Sequence, residues 1–138
     1  MEAVEQMLST TPNEPGLSRV NLSACIDACV ACELACVACA DACLGESQVA
    51  ALRKCIRLNL DCADVCGTTA RLLSRSLEPQ EDLIRAQLEL CVRACKECGA
   101  ECHSHAGMHA HCRVCGDACR ACEEHCRKLL REQSGGLP

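Results

Sequence analysis

The sequence predicts an all-α protein, an antiparallel up-down-up-down four-helix bundle with a Cys-lined core, and three observations carry that prediction. Cysteines recur in alternating steps of three and four, Gly, Ser and Pro punctuate the ends of those runs, and 138 residues hold no Phe, Tyr or Trp. Steps of three and four mark the seam of a helical bundle, whereas a strand needs a period of two. Short connections between such helices make neighbours antiparallel.

Taken in order, residues 1–16 combine a short helical pattern (Val4, Met7, Leu8) with a Pro/Asn/Gly linker. They are expected to precede a bundle domain at 17–131, with 132–138 as a frayed tail. The first bundle helix, expected at about 18–44, carries Cys25, Cys29, Cys32, Cys36, Cys39 and Cys43 in the run CIDACVACELACVACADAC. Gly45 suits its C′ position. The second, about 47–76, takes Ser47 as N-cap and carries Cys55, Cys62 and Cys66. The third, about 79–105, has Pro79 in its first turn and carries Cys91, Cys95, Cys98 and Cys102. Gly107 marks the break before the fourth, about 107–131, with Cys112, Cys115, Cys119, Cys122 and Cys126.

Composition narrows the function. Leu, Ile and Val together number 28, while Ala and Cys supply 37 residues, so the interior is largely alanine and sulfur. A net charge of -5 argues against a nucleic-acid surface or a polybasic membrane patch, since both need clustered Lys and Arg. No apolar run is expected to span a membrane. The first residues, MEAVEQMLSTTPNEPG, have no apolar h-region, and a cytoplasmic location with reduced thiols is expected. Disulfides along a stripe are geometrically poor: residues three or four apart on a helix have Cβ atoms roughly 5–6 Å apart, against the ~3.8 Å a disulfide wants.

A single buried cysteine is an ordinary small hydrophobe. Eighteen on the inward faces of four helices would pack badly, because bundle seams want Leu-sized knobs, so something else must fill the space. Thiolates select Cu(I), Zn(II) and iron–sulfur clusters. Zinc bound by four thiolates leaves each site at −2, a poor fit to a core whose stripes carry no Lys or Arg. Cu(I) with bridging thiolates can match sulfur about one to one and leave the core neutral, for roughly 18 ions. The ferredoxin-type cysteine run is absent, as is a thioredoxin-like setting for a CxxC pair, so an iron–sulfur or redox protein is the weaker alternative. A zinc or mixed-metal thiolate store stays open beside copper.

The two ends of the expected bundle differ. One gathers Leu22, Leu73, Leu77, Ile84, Leu88, Leu129 and Leu130 at stripe-compatible positions and reads as plugged. The other carries HSHAGMHAHC and reads as a mouth. By helical phase His105, Met108 and His109 continue the cysteine stripes, whereas His103 and His111 point off them and His125 is expected at the surface. For the first three, soft-cation ligands and a polar turn with one buried Met are both consistent readings. Asn59 occupies a stripe position between Cys55 and Cys62, either as a register-fixing polar residue or as a metal or sulfur partner.

The stripes CIDACVACELACVACADAC, CVRACKECGAEC and CRVCGDACRACEEHC, with a His/Met-rich turn before the last, resemble the cytosolic bacterial copper storage proteins over residues 20–131. That resemblance implies a homotetramer of four-helix bundles, a core holding many Cu(I) ions on the eighteen cysteines, and a mouth of His105, Met108, His109 and His111. Copper donor or acceptor proteins are the implied partners. The residues add independent support for assembly: Ile26, Val30, Leu34, Val37 and Leu44 lie on a second apolar face of the first helix.

Overall fold

Ser18 starts the first long helix by accepting a hydrogen bond from the Asn21 backbone N–H at 3.3 Å, and Glu132 from the far end of the chain accepts from the Ser18 N–H at 3.1 Å. The helix N-terminus is thereby tied to the chain's last helix. The computed structural model describes residues 1–12, 14–75 and 78–135. Among these there are five α-helices and no strand: α1 Glu2–Thr10, α2 Arg19–Leu44, α3 Arg53–Leu73, α4 Glu81–Ser104 and α5 Ala110–Gln133.

The second bundle helix starts later than expected. Ser47 caps nothing: a 3-10 turn at Val49–Leu52 comes first, carrying Leu52 into the core at 1% exposure, and α3 begins at Arg53. The expected helix end at residue 76, Leu77 and the last residues of the tail, 136–138, lie outside the described residues. Gly45 closes α2 in a right-handed conformation, φ −84°, so its freedom to turn left-handed is unused.

α2 packs against α3 and α5, α4 packs against the same two, and α1 lies on α2 through the buried Leu8. Along α2, the cysteines meet partners of falling number on α5: Cys25 meets Cys126, Cys32 meets Cys119 and Cys39 meets Cys112. Cys55, Cys62 and Cys66 of α3 likewise meet Cys102, Cys95 and Cys91 of α4. Glycines set the spacing of α4 and α5. A Cβ on Gly99 would sit 3.2 Å from that of Cys119, and one on Gly116 would stand 2.6 Å from the His103 ring.

At one end Leu22, Leu73, Ile84, Leu88 and Leu129 are buried and Leu130 packs against them. Each contributes about 1.5–3 kcal/mol of burial. A pocket lined by Leu17, Leu22, Leu72, Leu73 and Ile84 together with the charged Arg75, Glu81, Arg85 and Glu132 opens beside this group.

Two expectations are corrected. α2 is long and apolar enough to cross a membrane by length and composition alone, with a mean hydropathy of 1.9, because cysteine and alanine count as apolar. In the fold its cysteine face is buried in protein. Its second apolar face is also narrower than expected: Ile26 is buried and Val30 packs on the core, leaving Leu34, Val37 and Leu44 exposed.

Candidate metal centre

All eighteen cysteines are free and buried, because the 3–4 spacing turns every one of them toward the axis of its helix group. The closest sulfur-to-sulfur approaches include 3.6 Å, between Cys29 and Cys122, and 4.0 Å, between Cys36 and Cys98. Some pairs are one turn apart on a helix, such as Cys32 and Cys36 at 3.9 Å or Cys62 and Cys66 at 3.8 Å. Others cross between helices, such as Cys66 and Cys95 at 3.6 Å or Cys36 and Cys115 at 3.7 Å.

These distances say what a metal would meet. Two metal–thiolate bonds of ~2.3 Å span about 4.6 Å when collinear, so sulfurs 3.6–4.0 Å apart subtend roughly 100–120° at a shared ion. The spacing suits three- or four-coordination as it stands. A near-linear S–metal–S unit across a pair one turn apart would need the sulfurs to move apart by rotamer change.

The sulfurs gather in fours. Cys29, Cys91, Cys122 and Cys126 lie within 4.8 Å of one another, as do Cys32/Cys66/Cys95/Cys122, Cys32/Cys36/Cys62/Cys119 and Cys36/Cys98/Cys115/Cys119. The sets overlap, however. Cys32, Cys36, Cys119 and Cys122 each belong to two of them, so closing one tetrahedron takes a ligand from the next. A continuous array of shared ligands favours ions bridged by thiolates over isolated four-sulfur sites.

Burial pushes the Cys43 thiol up to about 12 and is also the largest cause raising Cys112, whereas hydrogen bonds from neighbouring thiols, Cys102 first, hold Cys39 down at about 5. A metal that binds the raised thiols must displace their protons.

Asn59 is fully buried among four of these sulfurs. Its Oδ1 accepts from the thiols of Cys98, Cys102 and Cys115 at 3.2, 3.3 and 3.5 Å, and its Nδ2 donates to Cys55 at 3.8 Å. Both readings of this residue put it where it is found; its amide satisfies neighbours that lack any other oxygen.

The histidine turn departs from the phasing expectation. α4 ends at Ser104 and α5 starts at Ala110, so residues 105–109 leave the helical phase on which that expectation rested. His111, expected to point away, lies against the core: its Nδ1 is 3.4 Å from the Cys39 sulfur and 3.6 Å from that of Cys112. With Cys39, Cys43 and Cys112 it forms a further group within 4.8 Å. Met108, expected to face inward, is 71% exposed. His105 Nε2 meets the Glu101 carboxylate at 2.8 Å, and His109 Nδ1 meets that of Glu46 at 2.6 Å. His103 sits in the groove between α4 and α5 over Gly116, 3.0 Å from Asp117, whose carboxyl its hydrogen bond holds below the usual range. His125 is half-buried rather than fully at the surface.

Carboxylates were the part that sequence reasoning missed. Glu101 lies one helical turn before His105, a spacing that could have revealed it. Glu46 has no such signal, since its partners are more than sixty residues away.

Comparison with known proteins agrees with this geometry. The profile of the family described as copper storage protein matches residues 18–131. A copper storage protein from Streptomyces lividans, solved with 10 copper equivalents, is 50% identical, with a TM-score of 0.91 over 97% of this chain and 99% of that one. A second structure, of copper loading to a cytosolic copper storage protein of S. lividans with five coppers, is 52% identical over 86% of this chain and 95% of that one, TM-score 0.79. The Cu(I)-bound copper storage protein BsCsp3 is 36% identical over 80% of this chain and 98% of that one, TM-score 0.72.

Proposed function

We propose how this chain, which belongs to the copper storage protein family, holds its cargo. It stores copper, as Cu(I) bound by the thiolates of its buried cysteines. The carrying observation is the overlap of the sulfur sets: Cys32, Cys36, Cys119 and Cys122 are each shared by two groups of four. Shared thiolates let each sulfur serve two ions and each ion draw on two or three sulfurs, so capacity approaches one Cu(I) per cysteine, roughly 18. Each monovalent ion replaces one thiol proton, and the buried charge does not change as the store fills.

The ligands in this reading are Cys25, Cys29, Cys32, Cys36, Cys39, Cys43, Cys55, Cys62, Cys66, Cys91, Cys95, Cys98, Cys102, Cys112, Cys115, Cys119, Cys122 and Cys126. His111 joins them through Nδ1, supported by its approach to Cys39 and Cys112. His105, His109 and the exposed Met108 line the way in, and Asn59 contributes an amide oxygen among the sulfurs near that end. The domain at 17–131 is the store, and α2 to α5 form an antiparallel up-down-up-down four-helix bundle, a reading supported by the falling register of the cysteine pairs. It works without turnover.

Exposed Leu34, Val37 and Leu44 on α2 support assembly with further copies, a homotetramer by family resemblance. A cytoplasmic location is supported by the cytosolic S. lividans relative and by a core that needs reduced thiols. Copper would come from and go to other proteins or small chelators.

The test is anaerobic titration of the reduced protein with Cu(I) against a strong chelator. Loading near one ion per thiol is expected; saturation at about one to four ions would point to a conventional closed site instead.

A further inference from the structure

The carboxylate of Glu46 stands one residue past the cap of α2, where the helix C-terminus carries partial negative charge and an acidic side chain is unfavourable. Its backbone N–H donates to the Cys43 carbonyl at 3.2 Å, which fixes it directly behind a core cysteine. One oxygen of that side chain, Oε2, meets two imidazoles: Nδ1 of His109, in the opposite connection, at 2.6 Å and Nε2 of His111, in the first turn of α5, at 3.1 Å. The two rings are stacked, centroids 5.5 Å apart and planes 26° from parallel.

The asymmetry of those contacts is chemically specific. A carboxylate is an acceptor only, so each neutral ring must turn its N–H toward it. His109 then carries its proton on Nδ1 and keeps the Nε2 lone pair; His111 carries its proton on Nε2 and keeps the Nδ1 lone pair. The free Nδ1 of His111 is the nitrogen that faces Cys39 and Cys112. We propose that Glu46 is a positioning residue that sets His109 and His111 in opposite tautomers, so that His109 offers Nε2 and His111 offers Nδ1 to an incoming cuprous ion. A carboxylate behind a ligating imidazole fixes which nitrogen is free and how the ring is aimed. A single oxygen does so here for two rings, which makes them one unit. In these tautomers the nitrogen that each ring offers to the ion carries no proton.

This inference rests on the preceding reading that these histidines meet copper, and its test separates the two. In reduced protein labelled with 15N on histidine, long-range proton–nitrogen NMR should report the Nδ1–H form for His109 and the Nε2–H form for His111. E46A should release His109 toward the Nε2–H form that free imidazole prefers, and slow initial Cu(I) uptake ~10-fold while leaving final capacity intact. E46Q keeps an acceptor oxygen at the same reach and should restore both tautomers. Tautomers unchanged in E46A would overturn the role of Glu46 even if uptake slowed. Uptake at the parent's rate in H111A would instead overturn the ligand reading of His111 and, with it, the purpose assigned to Glu46.

Discussion

The two ends of the helix group are built from the same four helices and solve opposite problems. At one, Leu22, Leu73, Ile84, Leu88 and Leu129 bury their side chains over the last cysteines, and Glu132 ties α5 to the start of α2. At the other, residues 45–52 and 105–111 bring imidazoles and carboxylates to the end of the array, with His111 against Cys39, Cys43 and Cys112. Hydrocarbon offers a metal ion nothing, whereas imidazole nitrogens and thiols offer it successive ligands. On the proposed reading, direction of traffic is written in what fills each end and not in the sulfur array between them.

The sharpest way to break the comparison is at the leucine end. Leu88→Ala or Leu129→Ala should cost the copper-free protein about 2–5 kcal/mol, read by urea unfolding under reductant, because both side chains are fully buried. Uptake rate and capacity should stay close to the parent's. If uptake accelerated instead, that end would be a second opening. The converse change, alanine at His105, Met108, His109 and His111 together, should slow uptake ~10-fold or more while shifting stability by less than about 1 kcal/mol. A loss of most capacity would mean that these side chains hold the store rather than admit to it.

Charge balance sharpens the role of the region between the ends. Adding Cu(I) to unbuffered protein at neutral pH should release about one proton per ion wherever a thiol becomes a ligand, as at Cys43, whose proton burial holds. Because protons compete for the sulfurs, loading should weaken as pH falls. Zinc in four-thiolate sites would release several protons per ion, so that outcome would revive the zinc store. The smallest effect is expected at Asn59: N59L should alter capacity by about one ion at most, and a larger loss would place the amide at the heart of a cluster.

The helices and the sulfur array were legible because a period of 3.5 residues is a strong signal when nearly every seam position is the same residue. Where the period stops, so does the reading. The 3-10 turn ahead of α3 follows from burying Leu52, a tertiary demand that Ser47 as an N-cap signal could not reveal. Met108 was misplaced because helical phase was carried through residues that are not helical, whereas His111, helical and off the stripe, reaches Cys39 and Cys112 through the length of its side chain. Overlap among the groups of four, the feature that favours bridging, depends on which stripes face one another and has no trace in spacing along any one of them.

The leucine cap has one more consequence, which concerns order. A vessel open at a single end, with a bore lined by shared ligands, resembles a stack: what goes in first lies deepest. Copper delivered as one stable isotope and topped up with another would then leave in reverse sequence, the recent arrivals before the old ones. How far that sequence blurs would measure how freely ions change places along the sulfur array.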